Sequence, residues 1–217
     1  MSSTDTPAEG SPRTRVEQLF EQGERAWRAG RYREAVRAFR ETLAQAPGHV
    51  EARLGLAHSL EGDDNLDAAV ATLTEAITAS PDQTEYLALR GALHARLNRL
   101  TEAEEDLRRV LRLHPAHGPA LVELGDVLLR RGRPVEAVEA FSRSLAVQPD
   151  RPGMQLRLGD ALNRADRLED AAVALERALA EEQDNRRAWH LYGRVLDRLE
   201  RPDDAVRAYR RAQGIDA

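Results

Sequence analysis

The sequence repeats itself with a period of 34 residues. Prolines stand at 47, 81, 115 and 149, each one period after the last. Ala35, Ala69, Ala103, Ala137, Ala171 and Ala205 form one unbroken column. Gly23, Ala57, Gly91, Gly125, Gly159 and Gly193 form a second. A third holds the large side chains Phe39, Leu73, Leu107, Phe141, Leu175 and Tyr209, followed four residues later by Leu43, Ile77, Leu111, Leu145 and Leu179. Gly30, Asp64, Asn98, Gly132 and Asp166 make a turn column, in which Glu200 is the one poor member. A fixed period of this length means stacked units, none of which buries its apolar face alone.

Each unit reads as two helices. In the first, Val16 to Ala29 and Arg33 to Ala46 are helical stretches with Gly30 between them. Gly, Asn and Asp suit that place because they enter left-handed backbone at least cost. Pro47 ends the second helix, since proline restricts the residue before it and cannot continue the ladder. Ala35, Phe39, Thr42 and Leu43 lie on one helical stripe. Gly23 and Ala35 let the paired helices approach, with Phe39 filling the space beyond. Residues 1–12 are small, polar or charged apart from Met1, and the tail 1–15 reads as disordered. Ser11-Pro12 offers an N-cap and a first-turn proline for the opening helix.

A 34-residue helix–turn–helix unit with Gly, Ala, a large apolar residue and then Pro resembles the tetratricopeptide repeat. The resemblance covers residues 16–217 as six units, 16–49, 50–83, 84–117, 118–151, 152–185 and 186–217. It implies an all-α, right-handed α-solenoid of antiparallel helix pairs. Two departures are local. Trp189 is the only tryptophan in the family's early aromatic column, and Gln183 replaces the unit-ending proline of the fifth unit. At the last unit the apolar column ending in Leu179 becomes Gln213. With Arg207, Arg210 and Arg211 it suits a polar outer face, and the array reads as complete at six units.

In this family the concave surface, lined by the first helix of each unit, holds peptides or helices of partner proteins. The resemblance implies the same here. The matching columns are Phe20, Leu54, Ala88, Val122, Leu156 and His190, then Glu24, His58, Ala92, Asp126, Asp160 and Arg194. Trp27, Glu61, Ala95, Leu129, Asn163 and Asp197 lie a turn on, and Glu17, Glu51, Glu85, Pro119, Gly153 and Arg187 a turn before. Together they carry a formal charge of −6, beside a broken apolar stripe through Phe20, Leu54, Val122 and Leu156. Such a surface selects a basic, apolar segment. The neighbouring column Arg28, Gly62, Arg96, Arg130, Arg164 and Arg198 brings the sum to −1. Adaptors that grip a chaperone's terminal carboxylate need a basic residue in the Leu54 column with Asn one turn later. No unit has that pair, and His190 with Arg194 comes nearest, so that role is disfavoured.

Catalytic constellations were sought and are missing. There is no phosphate-cradling glycine loop, G-x-S-x-G or H-E-x-x-H. Asp63-Asp64-Asn65-Leu66-Asp67 begins like a calcium loop but has Ala68 and Thr74 where Gly and Glu belong. His114 and His117 have no further ligand nearby. Zero cysteine removes thiolate chemistry. All 32 basic residues are arginine, which fits a GC-rich genome. A net charge of −5 without interleaved aromatics argues against a nucleic-acid partner. No apolar run approaches membrane length and no secretory signal is visible. The expectation is a cytoplasmic, non-enzymatic protein-binding scaffold without cofactor or metal. The alternative is a subunit that self-associates into a homo-oligomer.

Overall fold

The computed structural model describes residues 14–215. The segment expected to be disordered lies outside that range except for Thr14 and Arg15, and Ser11-Pro12 lies outside it entirely. The opening helix starts later than Ser11-Pro12 suggested, at Arg15. Thr14 caps it: its Oγ1 accepts from the Glu17 amide at 3.3 Å, and the Glu17 carboxylate accepts from the Thr14 amide at 2.7 Å.

The described residues form twelve α-helices and no strand. They are α1 (Arg15–Arg28), α2 (Tyr32–Gln45), α3 (Val50–Gly62), α4 (Leu66–Ala79), α5 (Thr84–Arg96) and α6 (Leu100–Leu113). Then follow α7 (Gly118–Arg130), α8 (Pro134–Val147), α9 (Met154–Arg164), α10 (Leu168–Glu181), α11 (Arg186–Arg198) and α12 (Pro202–Gln213). Contacts group the described residues into two compact units that divide between Tyr86 and Leu87. In the first, α1 packs on α2, α2 on α3, and α3 on α4; in the second, α6 to α12 pack each on the next.

One turn recurs between paired helices. After α1, Gly30 takes φ +70° and its amide donates to the Trp27 carbonyl, while the Arg31 amide reaches back to Ala26. This pair of bonds closes a helix through a left-handed residue and satisfies carbonyls otherwise left open. Asp64, Asn98, Gly132, Asp166 and Glu200 occupy the same place, all at positive φ. The calcium-like stretch is therefore a turn. Asp64 is its left-handed residue, Asn65 caps α4 through Ala68, and Asp63 receives Arg33 at 3.1 Å. The left-handed residue, not the end of the apolar pattern, decides where each first helix stops, so α1 ends one residue before the sequence suggested. α2 also ends one residue early, because Ala46, the residue before Pro47, leaves the helix at φ −132°.

The glycine column works by absence. An added Cβ at Gly23 would lie 2.7 Å from the Phe39 ring, and one at Gly55 only 2.5 Å. Phe39 thus beds into two first helices at once, with 2% of its surface exposed. Phe141 meets Gly125 in the same way, and Leu175 meets Gly159. Burying such a side chain contributes about 1.5–3 kcal/mol. A methyl at Gly23 gains about 1 kcal/mol of helix propensity, but overpacking costs about 1–3 kcal/mol, so glycine holds the position. All six alanines of the repeated column are fully buried.

Two junctions depart from the pattern. Without a proline at 183, α11 still starts cleanly: Asn185 Oδ1 accepts from the Ala188 amide, and the Gln183 carbonyl accepts from the Trp189 indole at 2.7 Å. Gly153, left-handed, caps α9 and leaves it the shortest helix described. His117, considered above as a metal ligand, instead accepts the Ala120 amide through Nδ1 at 3.1 Å and caps α7.

Glu200 is the one turn residue without glycine's freedom or a short Asn or Asp side chain, yet it holds φ +57°. Glu200→Gly is expected to stabilise the protein by about 0.5–1 kcal/mol. A rise in the midpoint of thermal or urea unfolding checks this.

Candidate partner-binding site

In the first unit, α1 and α3 present one side of each helix to a shared cavity of about 380 Å³. Phe20, Trp27 and Leu54 form its apolar walls, and Phe39, reached past the bare Gly55 backbone, lies beneath. The Phe20 ring stacks on His49 at 4.8 Å and tilts against Phe39 at 5.8 Å. Trp27 stands 6.3 Å from His58 and keeps 42% of its surface exposed. Glu24 and Glu51 supply charge at the rim. Glu24 pairs with Arg28 at 3.2 Å, and the His58 ring lies 3.3 Å from Glu61. Phe20, Leu54 and His58 are thus brought together around one cavity. Trp27, from a neighbouring sequence column, walls the same cavity and leaves its indole partly in solvent.

In the second unit, α5, α7, α9 and α11 border two adjoining cavities of about 390 and 280 Å³. Ala92, Asp126 and Asp160 line the first, and Asp126, Leu156 and Asp160 the second. Here the acidic character expected of the surface is reversed. Glu123, Asp126 and Asp160 stand among Arg96, Arg130, Arg157, Arg164 and Arg187. Arg157 reaches back to pair with Asp126, and Arg164 pairs with Asp160 at 3.0 Å. Arg157 lies outside the four columns read from the sequence, so its charge was not counted there.

The remaining predicted residues are scattered. Ala88 is half-buried on α5. Val122 is only 5% exposed, so it belongs to the packing and does not extend the apolar stripe. The His190 ring packs on Tyr209 at 5.6 Å, and Arg194 is exposed; neither lines the cavities described.

The arginine column has a structural duty. Arg130 donates to the Ala95 carbonyl at 2.7 Å and to Asn98 Oδ1 at 2.9 Å. Arg198 does the same to Asn163, at 2.7 Å to both its carbonyl and its side chain. Each guanidinium thus satisfies the end of the preceding unit's first helix, where the helix dipole favours a cation.

Profiles of the tetratricopeptide repeat match residues 26–93 and 128–195, with further profiles of that repeat matching 88–152 and 187–217. No curated protein sequence matches the chain. Among solved structures, a tetratricopeptide repeat protein from Parabacteroides merdae superposes with a TM-score of 0.76 at 15% identity, covering 93% of this chain and 80% of that one. YrrB, described as a tetratricopeptide repeat protein with an unusual peptide-binding site, gives 0.76 at 18% identity, with 84% and 94% covered. MamA from Desulfovibrio magneticus gives 0.72 at 19% identity, with 76% and 93% covered. At these identities the likeness is one of fold: all three are helical-repeat solenoids, as is this chain.

Glu123 differs electrostatically from its neighbours. Burial raises its pKa above the ordinary 4.5, and the Asp126 charge adds to this against Arg157 and Arg151. A carboxyl with a raised folded pKa weakens folding once the pH climbs above the unfolded value, and costs nothing well below it. Glu123→Gln removes that penalty. The variant is expected to melt higher than the parent near neutral pH and to lose its advantage below about pH 4.5, as paired thermal melts will register.

Proposed function

Because the chain belongs to the tetratricopeptide repeat family, we propose that residues 16–217 act in the cytoplasm as one non-catalytic protein-binding domain, holding a peptide or helical segment of a partner against its first helices. Family membership supports the coarser reading, a protein-interaction scaffold. The observation that carries the finer one is the first unit's cavity. Tryptophan is one of the residue types enriched among binding anchors. Trp27, Phe20 and Leu54 would enclose one large side chain, and Glu24 and Glu51 stand where a cationic end would emerge. An aliphatic or aromatic residue meets the walls; an arginine or lysine would also gain ring-face attraction and a carboxylate. This keeps the basic, apolar ligand expected from the sequence for this unit.

Self-association is the second reading, and it rests on Val206. Its counterparts Val36, Val70, Val138 and Ala172 are buried, whereas Val206 is 53% exposed. Light scattering over a range of concentrations tests it: growing mass supports assembly, and a monomer throughout rejects it.

For the scaffold itself, Trp27→Ala is expected to weaken partner capture by about tenfold or more, since an anchor of this kind is worth ~2 kcal/mol. Folding should be kept, because the indole is half in solvent. Affinity capture from the native host lysate, quantified by mass spectrometry for parent and variant with circular dichroism alongside, checks this. Unchanged capture by a folded variant would reject the first-unit anchor.

A further inference from the structure

We propose that the cavity of the second unit receives the side-chain carboxylates of an acidic segment in a partner protein, with Arg187 and Arg157 as the receiving groups. The inference rests on the scaffold reading but concerns a different unit and the opposite ligand charge.

Charge and pairing lead to it. Five arginines and three carboxylates line the cavity, so the positive charges are in excess. The pairs are unequal in what they leave free. Arg130 is spent on the Ala95 carbonyl and Asn98, and Arg164 on Asp160. Arg157 meets Asp126 yet keeps 46% of its side chain exposed, so it retains donors for a ligand. Arg187 is exposed and has no hydrogen-bond or ion-pair partner among the described residues.

The placement of Arg187 is itself unfavourable without an anion. It stands in the first turn of α11, which contains no acid, where the helix dipole repels a cation. A carboxylate arriving there meets the guanidinium and the positive end of the helix dipole together.

The walls define the rest of the ligand. Ala92, Ala95, Leu129 and Leu156 are small or aliphatic and no aromatic ring lines the cavity. Aliphatic residues between the acids suit those walls. Nucleic acid is disfavoured, because bases need a ring on which to stack.

The test uses the whole chain and fluorescence anisotropy. The probe is a short labelled peptide of Glu, Asp, Leu and Ala, acetylated and amidated so that its only carboxylates are side chains. Saturable binding is expected, weakening with added salt and falling about tenfold in Arg187→Glu, with Arg187→Gln intermediate. Trp27→Ala should bind the probe as the parent does, which separates this claim from the first-unit anchor. The proposal is overturned if the probe does not bind, or if folded Arg187→Glu binds it equally well. It is overturned also if a lysine-for-acid peptide, a free terminal carboxylate alone, or single-stranded DNA binds better.

Discussion

The whole arrangement depends on a large side chain lying where another helix has none. Phe39 fits because Gly23 and Gly55 present bare backbone from the two first helices on either side of α2. Phe141 and Leu175 repeat the contact with Gly125 and Gly159. Interiors are close-packed, so the distance between helices is set by what lies between them. Here it is set once per period, and α2 is held by one face to α1 and, through Phe39 and Gly55, to α3.

This packing divides the surface into two kinds. First helices spend one side on the buried columns and leave the other open, and the cavities around Trp27 and around Arg187 lie on that open side. The charges around the helix ends are largely internal fittings. Arg130 and Arg198 close the carbonyl ends of preceding helices. Glu104 stands where Val36, Val70 and Val138 stand elsewhere, and its burial is answered by hydrogen bonds from Arg108 and Arg133 that hold its carboxyl below the usual range. A basic or acidic residue on such a surface therefore informs about a ligand only after its internal partners are subtracted. Among the arginines lining the second unit's cavity, Arg187 is what remains, and in the first unit the exposed Trp27 stands open at the cavity.

The fold was legible because steric columns repeat. A missing Cβ at 23, 91, 125, 159 and 193, opposite a large residue sixteen positions later, names the contact without any structure. Helix ends were legible to within a residue; a left-handed turn residue closes each first helix, and an extended residue ends α2, α4, α6, α8 and α10. The candidate face could be laid out as columns but not as chemistry. Whether Asp126 is available depends on Arg157 reaching across from the following repeat, and Val122 is buried where Leu156 is half-buried. Neither fact is carried by position in a repeat. Summing charges down columns thus predicted an acidic surface, whereas side-chain reach divides it into an acid-rimmed apolar cavity and an arginine-rich one.

The division of labour between the two faces can be tested by placing a photo-crosslinking amino acid at His58, at Asp160, or at Val173 on the second-helix face, and irradiating each protein in its native host. Covalent partner adducts from His58 and Asp160, with Val173 silent, are the expected result. Adducts from Val173 alone would contradict the assignment of partner binding to the first helices.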